Sequence, residues 1–139
     1  MTNLIRLTAL TLTAVLMSVP LSAPMAHADG HCTDDAIALG EKQYRKCKAC
    51  HKLEDGKNGV GPHLFGVVGR GVADIDGYKY SSAMVEFGSD AEKVWDEALL
   101  SAYLEKPKDL VKGTKMAFGG IKKEDQRNAV ICYLAKTGG

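Results

Sequence analysis

The sequence predicts an all-α fold of three main helices and long loops, in one small domain. Three segments repeat apolar residues at three- and four-residue spacing, which is the period of one helix face. No segment shows the clean apolar-polar alternation of a half-buried strand. The glycine-rich segment 58–77 has no sustained period, so we expect it to be a long loop.

Residues 1–28 have the layout of a cleaved secretory signal peptide. Arg6 precedes an apolar run over 7–19, and Ala26-His27-Ala28 is a cleavage site of the small-x-small type. The run is shorter than the ~20 residues that a membrane-spanning helix needs, and an uncleaved anchor is the alternative. We therefore expect an exported domain over 29–139.

The charge balance argues against a general nucleic-acid-binding protein. The chain holds 18 Lys and Arg residues against 17 Asp and Glu residues, so it has no large basic excess. The charges are segregated, because basic residues dominate 42–57 and 106–123 whereas acidic residues dominate 74–97. This pattern fits an ordinary solvated surface, and it also fits a dipolar molecule that a basic face steers onto an acidic partner.

The first main helix is expected to begin at Thr33. A hydroxyl cap followed by acidic residues suits the positive end of a helix dipole. The face at helical spacing comprises Ile37, Gly40, Tyr44 and Cys47. A glycine inside a helix costs about 1 kcal/mol relative to alanine, so we expect another backbone to pack closely against Gly40.

The second and third main helices lie in the last third of the chain. The second follows Trp95, is stopped by Pro107, and could gain one more turn over 108–112. Its apolar face comprises Ala98, Leu99, Ala102 and Tyr103. The third opens near Glu124 and ends at Gly138. Its apolar face comprises Val130, Tyr133 and Leu134.

The stretch CKACH, residues 47–51, has several competing interpretations. A zinc site needs about four ligands, and Cys32 and Cys132 would have to complete the set. A thioredoxin-like redox pair needs a strand before it and a βαβ unit around it, which this sequence does not predict. A disulfide within the stretch would leave its histidine unexplained.

Covalent attachment of haem explains each residue of this stretch. Cys47 and Cys50 at positions i and i+3 would face one side and form thioethers to the two vinyl groups of one porphyrin. His51 would then lie under the iron as an axial ligand. A haem would also supply the core that so loop-rich a chain lacks.

Met116 is the expected second axial ligand. A methionine at helical spacing is usually core packing, but Met116 sits in a turn after a glycine, where a thioether ligand is the better interpretation. The competing histidines are less suitable: His27 would be removed with the signal peptide, and His31 lies at a frayed terminus. His63 follows His51 closely, on the loop that must pass the same side of the haem.

The chain resembles the class I c-type cytochromes, close to the mitochondrial cytochrome c and purple-bacterial soluble cytochrome group. The resemblance covers roughly residues 36–137. It is carried by Gly40 and Tyr44 before the CKACH stretch, then GPHLFGVVGR (61–70), GYKYS (77–81), Trp95, YLEKP (103–107), KGTKMAFGGIKK (112–123) and VICYL (130–134).

The resemblance implies roles for the matching residues. Pro62 would accept a hydrogen bond from the ring of His51 and fix its orientation. The residues implied to hydrogen-bond a haem propionate are Arg70, Tyr80 and Trp95. The residues implied to lie on the methionine side and at the haem edge are Tyr103, Thr114 and Phe118. Gly40 and Tyr44 would contact the last helix.

Two features depart from the mitochondrial pattern. Segment 81–94 is longer, and Met84 stands where that form carries asparagine, so we expect a different local hydrogen-bond network. Cys32 and Cys132 are additional cysteines, and because the first and last helices pack together in this family, we expect a disulfide between them. Two free thiols are the alternative. The bond would close a loop of about 100 residues, worth up to ~5 kcal/mol in the chain-entropy model.

The resemblance implies a soluble, monomeric, periplasmic one-electron carrier that is not an enzyme. Its partners would be acidic faces of membrane oxidoreductases in respiration or photosynthesis: a cytochrome bc complex as donor, and an oxidase or photosynthetic reaction centre as acceptor. The lysines expected to flank the haem edge are Lys48, Lys57, Lys108, Lys115, Lys122 and Lys123. The rival hypotheses are a peroxidase-like haem enzyme or gas-binding protein with a labile sixth ligand, and a non-redox interaction module.

Overall fold

Five helices and one isolated β-bridge make up the regular structure of residues 32–138. The computed structural model describes residues 32–138. The helices are α1 (Asp34–Tyr44), α2 (Ser82–Phe87), α3 (Glu97–Glu105), α4 (Pro107–Leu110) and α5 (Glu124–Thr137). In that part of the chain no strand forms, and the bridge joins Gly71 to Val94. The predicted all-α class is therefore confirmed, with α1, α3 and α5 as the main helices.

Part of the sequence-based prediction lies outside the described residues. This applies to the signal peptide over 1–28, and to His27 and His31. Among the helices of residues 32–138, none has both the length and the apolar character needed to cross a membrane.

The start of α1 follows the capping pattern of its sequence. The Thr33 hydroxyl accepts a hydrogen bond from the Ala36 N–H at 3.2 Å, ahead of two acidic residues in the first turn. The helix ends at Tyr44, earlier than a face running to Cys47 would require. The chain continues in tighter turns, in which the N–H groups of Cys50 and His51 both donate to the Cys47 carbonyl, at 3.0 and 2.9 Å.

Helix α1 crosses α5 at very close range. A Cβ atom built on Gly40 would overlap the backbone carbonyl of Ala129 and the Cβ of Tyr133. Beside this crossing, the rings of Tyr44 and Tyr133 pack with their centroids 5.5 Å apart. The close backbone approach expected at Gly40 is therefore present, and it explains why a residue that weakens a helix stands in the middle of one.

A disulfide reinforces the same pair of helices. Cys32, just before α1, bonds to Cys132 in α5 with an S–S distance of 1.99 Å and a Cα–Cα distance of 5.3 Å. Cys132 is buried among the apolar residues of α5. The structure thus forms the bridge and does not leave two free thiols at these positions.

Helices α3 and α4 begin and end as their sequences favour. The Asp96 carboxylate caps α3 by accepting the Leu99 N–H at 2.7 Å. Pro107 ends α3 and occupies the first turn of the short α4, which corresponds to the extra turn expected over 108–112. Buried Arg127 of α5 links that helix to α3 by donating to Ser101 Oγ at 3.1 Å. It also donates to the carbonyls of residues 121 and 122 at 3.0 and 2.9 Å.

Helix α2 has no counterpart among the helices predicted from the sequence. Ser81 caps this helix by accepting the Met84 N–H at 3.1 Å, and Met84 is its buried residue. Phe87 packs against Trp95, with ring centroids 6.3 Å apart. Lys93 folds back onto α2, donating to the Phe87 carbonyl at 2.6 Å and lying 4.6 Å from the centre of its ring. A six-residue helix stabilised by such distant contacts leaves little periodic signal.

We predict that Gly40→Ala destabilises the protein by about 3 kcal/mol, because the new methyl group forces α1 and α5 apart. The measurement is guanidinium unfolding followed by circular dichroism. Gly119→Ala is the matched control, since a Cβ there meets no atom within 4 Å. Equal stabilities of the two variants would contradict this account of the crossing.

We predict that replacing both Cys32 and Cys132 by serine lowers the free energy of unfolding by about 2–4 kcal/mol. We expect this loss to be smaller than the chain-entropy model gives, because a covalently attached haem already restricts the unfolded chain. Alkylation without reduction, followed by mass spectrometry, checks the bond directly. Modification of both cysteines in the native protein would show that no disulfide forms.

Candidate functional site

A cleft of about 280 Å³ brings together every residue that the sequence analysis assigned to cofactor contact. Its walls come from the turns after α1, the loop segments 60–64 and 78–81, helices α2, α3 and α5, and the segment 114–118. The predicted residues that line it are Cys47, Cys50, His51, Pro62, Arg70, Tyr80, Trp95, Tyr103, Thr114, Met116 and Phe118.

The two cysteines of the CKACH stretch are unpaired thiols in the cleft wall. Cys47 is buried and Cys50 is exposed, so Cys50 marks the side on which the cleft meets solvent. Burial raises the pKa of the Cys47 thiol. Cys32 and Cys132, which would have to complete a zinc site, are bonded to each other. Within residues 32–138, no three His, Cys, Asp or Glu side chains group together to hold a metal ion. The zinc interpretation therefore does not fit this structure.

The ring of His51 is oriented by Pro62. Its Nδ1 atom lies 2.7 Å from the Pro62 carbonyl oxygen, and because a carbonyl can only accept, Nδ1 carries the proton. The lone pair on Nε2 is then available to a metal. Burial lowers the pKa of His51, and the bond to Pro62 opposes this only partly. The imidazole is accordingly neutral at neutral pH, as metal ligation requires.

The turn that carries Pro62 passes so close to His51 that it needs glycine. A Cβ on Gly61 would overlap the imidazole ring, and a Cβ on Gly59 would overlap the Cys50 carbonyl. The Gly61 N–H donates to the Cys50 carbonyl at 2.9 Å, and the Gly59 N–H donates to the Gly61 carbonyl at 2.9 Å. These contacts fix the turn against the CKACH stretch.

A short polar chain supports Met116 in another wall of the cleft. The Thr114 hydroxyl oxygen accepts the Met116 N–H at 3.3 Å and lies 3.0 Å from the Tyr103 hydroxyl. The Tyr103 ring packs on Trp95 with centroids 5.0 Å apart. Burial raises the pKa of Tyr103, an effect that the bond to Thr114 only partly offsets.

Arg70 and Tyr80 line the cleft but bond to backbone groups. The Arg70 guanidinium donates to the carbonyl oxygens of Phe65 at 2.7 Å and His63 at 3.0 Å. The Tyr80 hydroxyl accepts the Ile75 N–H at 3.4 Å. His63 itself is buried and is not among the residues that line the cleft.

Several lining residues were missed by the sequence analysis. Of the six expected lysines, Lys115 lines the cleft, and so do Lys46 and Lys79, which were not selected. The other five expected lysines are exposed. The Tyr78 hydroxyl donates to the Val60 carbonyl at 2.8 Å and joins two loops at the cleft. The alternation of two tyrosines in GYKYS was the available signal, but it does not reveal which loop they meet.

The comparisons with known proteins bear on this cleft directly. A family model described as cytochrome c matches residues 37–138, which includes all the predicted ligands.

The chain belongs to the cytochrome c family.

Relatives and one solved structure agree with this membership. The chain is 49% identical over 102 residues to cytochrome c-type cyt cy of Rhodobacter capsulatus, covering 73% of this chain and 49% of that protein. It therefore spans about half the length of that relative. It is also 49% identical over 91 residues to cytochrome c2 iso-2 of Magnetospirillum molischianum, covering 66% of this chain and 90% of the relative.

The solved structure of cytochrome cH from Methylobacterium extorquens shares the fold. It superposes with a TM-score of 0.63 at 44% identity, over 72% of this chain and 97% of the other.

Members of the cytochrome c family are electron-transfer proteins and not enzymes, and the same holds for this chain. It carries a single haem c, attached through Cys47 and Cys50. The cleft suits this cofactor, because two unpaired thiols and a neutral imidazole line walls that are otherwise mostly apolar.

We predict that Tyr103→Phe flattens the fall of stability at high pH. The pKa of Tyr103 is raised in the folded protein. Its contribution to the free energy of unfolding is therefore complete below the ordinary tyrosine pKa of about 10, and it is lost as the pH rises through the pKa of the folded protein. Unfolding free energies measured from pH 7 to 12 should differ by a constant amount up to about pH 10 and then converge. Parallel curves over the whole range would contradict the assignment.

Proposed function

We propose that this protein is a soluble, monomeric, periplasmic one-electron carrier whose haem iron is held by His51 and Met116. The observation that supports the ligand pair is their common location. Both side chains line the cleft that contains the two attachment thiols. The His51 ring is hydrogen-bonded to the Pro62 carbonyl, and the Met116 backbone N–H to the Thr114 hydroxyl.

When bound, the haem would supply one-electron redox chemistry at its iron. His51 and Met116 would hold the iron, and because the chain fixes both residues, little would reorganise on electron transfer. Pro62 fixes the imidazole of His51, and the hydroxyl of Thr114 fixes the backbone of Met116. The apolar side chains that line the cleft and exclude water from it are Leu64, Leu100, Leu104, Val130 and Leu134. Histidine-methionine ligation together with burial raises the reduction potential.

The charged side chains that line the cleft are all basic. They are Lys46, Arg70, Lys79 and Lys115, and no Asp or Glu of residues 32–138 joins them. This supports docking onto acidic faces of membrane oxidoreductases, with weak and salt-sensitive encounters. The family resemblance suggests a cytochrome bc complex as donor, and an oxidase or photosynthetic reaction centre as acceptor.

Three features support a periplasmic location. Residues 1–28 have the layout of a signal peptide. The Cys32–Cys132 disulfide belongs in an oxidising compartment. Attachment of haem through Cys47 and Cys50 is consistent with an exported protein.

We predict that the protein titrates as a one-electron couple and that Met116→Ala lowers its potential by on the order of 0.1 V. The ferric wild type should show a sulfur-to-iron charge-transfer band, and the ferrous form should not bind carbon monoxide at neutral pH. Met116→Ala should lose the band and bind the gas, because the sixth position opens. The measurement is a redox titration with absorbance spectra.

Met84→Leu is the matched control for this titration, since Met84 also lines the cleft. It should keep the charge-transfer band and exclude carbon monoxide. A wild type that binds carbon monoxide readily and lacks the band would favour the rival function, a haem enzyme or gas-binding protein with a labile sixth ligand.

A further inference from the structure

The four cysteines of the chain have two different fates. Cys47 and Cys50 attach the haem, so both must remain thiols until attachment. Cys32 and Cys132 form a disulfide, so both must be oxidised. The two pairs need opposite treatment within one chain, and the order of the two reactions therefore matters.

The observed disulfide is the pairing that loop closure favours least in an unfolded chain. Its cysteines are 100 positions apart. Cys47 lies only 15 positions from Cys32, and Cys50 lies next to Cys47 in the CKACH stretch. Because the entropy cost of closing a loop rises with its length, bonding of Cys32 to Cys47 is favoured about 17-fold over bonding to Cys132. An oxidant that acts before attachment would thus consume the thiols that the haem needs.

Folding overcomes this disadvantage, because the crossing of α1 and α5 brings Cys32 next to Cys132. Gly40 lets the two backbones touch, and the rings of Tyr44 and Tyr133 pack beside the contact. Cys132 is buried in α5. The disulfide therefore depends on the docking of these two helices.

The haem cleft uses the same two helices. On α5, Val130 and Leu134 line the cleft, two positions before and after Cys132. At the end of α1, the Tyr44 hydroxyl donates to the His51 carbonyl at 3.2 Å and links the crossing to the CKACH stretch. A haem in the cleft buries apolar side chains of α5, so it stabilises the docking that the disulfide needs.

We propose that the Cys32–Cys132 disulfide is the last covalent bond formed in maturation, and that a dithiol-oxidising reaction acts on the chain after haem attachment. In attachment, the thiols of Cys47 and Cys50 each add across one vinyl group. This addition consumes no oxidant, and it removes both sulfurs from thiol–disulfide exchange. The inference rests on haem attachment and not on the proposed carrier function.

The oxidising reaction is an exchange with a small or protein disulfide. Cys32 is the first nucleophile, because it is half-buried whereas Cys132 is 5% exposed. Its thiolate attacks the oxidant's disulfide, forms a mixed disulfide and releases one thiol. The Cys132 thiolate then attacks the Cys32 sulfur and releases the second thiol. Two protein thiols become one disulfide, the oxidant's disulfide becomes two thiols, and the two protons pass to the released thiols.

The first test measures how strongly the haem promotes this pairing. The haem-loaded wild type is compared with the Cys47→Ala/Cys50→Ala variant, which has neither the haem nor the competing thiols. Both are reduced in guanidinium, which leaves thioethers intact, and are then equilibrated in buffer with reduced and oxidised glutathione. Alkylation and mass spectrometry give the ratio of the internal disulfide to mixed disulfides with glutathione.

We expect this ratio to be on the order of a hundredfold higher in the haem-loaded protein, because folding has already closed the loop. In the haem-loaded protein, Gly40→Ala should lower it about tenfold by disturbing the crossing. Gly119→Ala is the matched control and should leave it unchanged, since a Cβ there meets no atom within 4 Å. Equal ratios with and without haem would overturn the proposal, and so would equal ratios for the two glycine variants.

The second test examines the order of the reactions in a bacterial host whose haem-attachment pathway can be switched off. With the pathway off, we expect Cys47 and Cys50 to be found mainly in disulfides, and the Cys32–Cys132 bond to be a minor species. With the pathway on, the haem-loaded chain should carry that bond completely. A haem-free chain whose main bond joins Cys32 to Cys132 would overturn the order. These measurements read thiol states, so they are independent of whether the protein carries electrons as proposed.

Discussion

The close crossing of α1 and α5 is the constraint on which the site depends. Gly40 lets the two backbones touch, and this contact sets where the turns after α1 can lie. Those turns carry the CKACH stretch, while α5 supplies Val130 and Leu134 to the same cleft. One missing side chain thus determines how the attachment cysteines stand relative to the cleft wall. Helix packing here serves to position chemistry as well as to bury apolar area.

The two proposed ligands are held in different ways. The ring of His51 is oriented by a single hydrogen bond, which its Nδ1–H donates to the Pro62 carbonyl. Met116 is supported indirectly, through its backbone N–H, by a hydroxyl that also meets Tyr103. The chain therefore fixes the imidazole directly, whereas it fixes the thioether only through the backbone of its loop.

The sequence predicts most of the fold, because the main helices carry local signals. The caps at Thr33 and Asp96, and the periodic faces behind them, are readable within a few residues. Helix α2 escapes prediction because it depends on contacts with Trp95 and Lys93 that lie outside it. The end of α1 is also misplaced, because the turns after it mix three-residue with four-residue hydrogen bonds and so extend the helical spacing beyond the helix.

The candidate site is likewise predictable where it depends on local spacing and unpredictable where it depends on distant contacts. Attachment by the CKACH stretch is a matter of local spacing, so the sequence alone suggests it. The partner Met116 and the residues of the polar chain come from distant segments, and only the family resemblance connects them to His51. The hydrogen bond from Tyr78 to Val60 joins two loops of the cleft, and no local sequence pattern predicts it.

The Cys32–Cys132 bond has a mechanical consequence. It converts the described chain into a closed covalent ring with a short tail, because 100 positions separate its cysteines. A pulling force applied to the two ends would pass through the sulfur bridge and the last turns of α5. The loops that build the cleft would carry almost none of that tension, so the haem pocket would keep its shape while the ends were stretched.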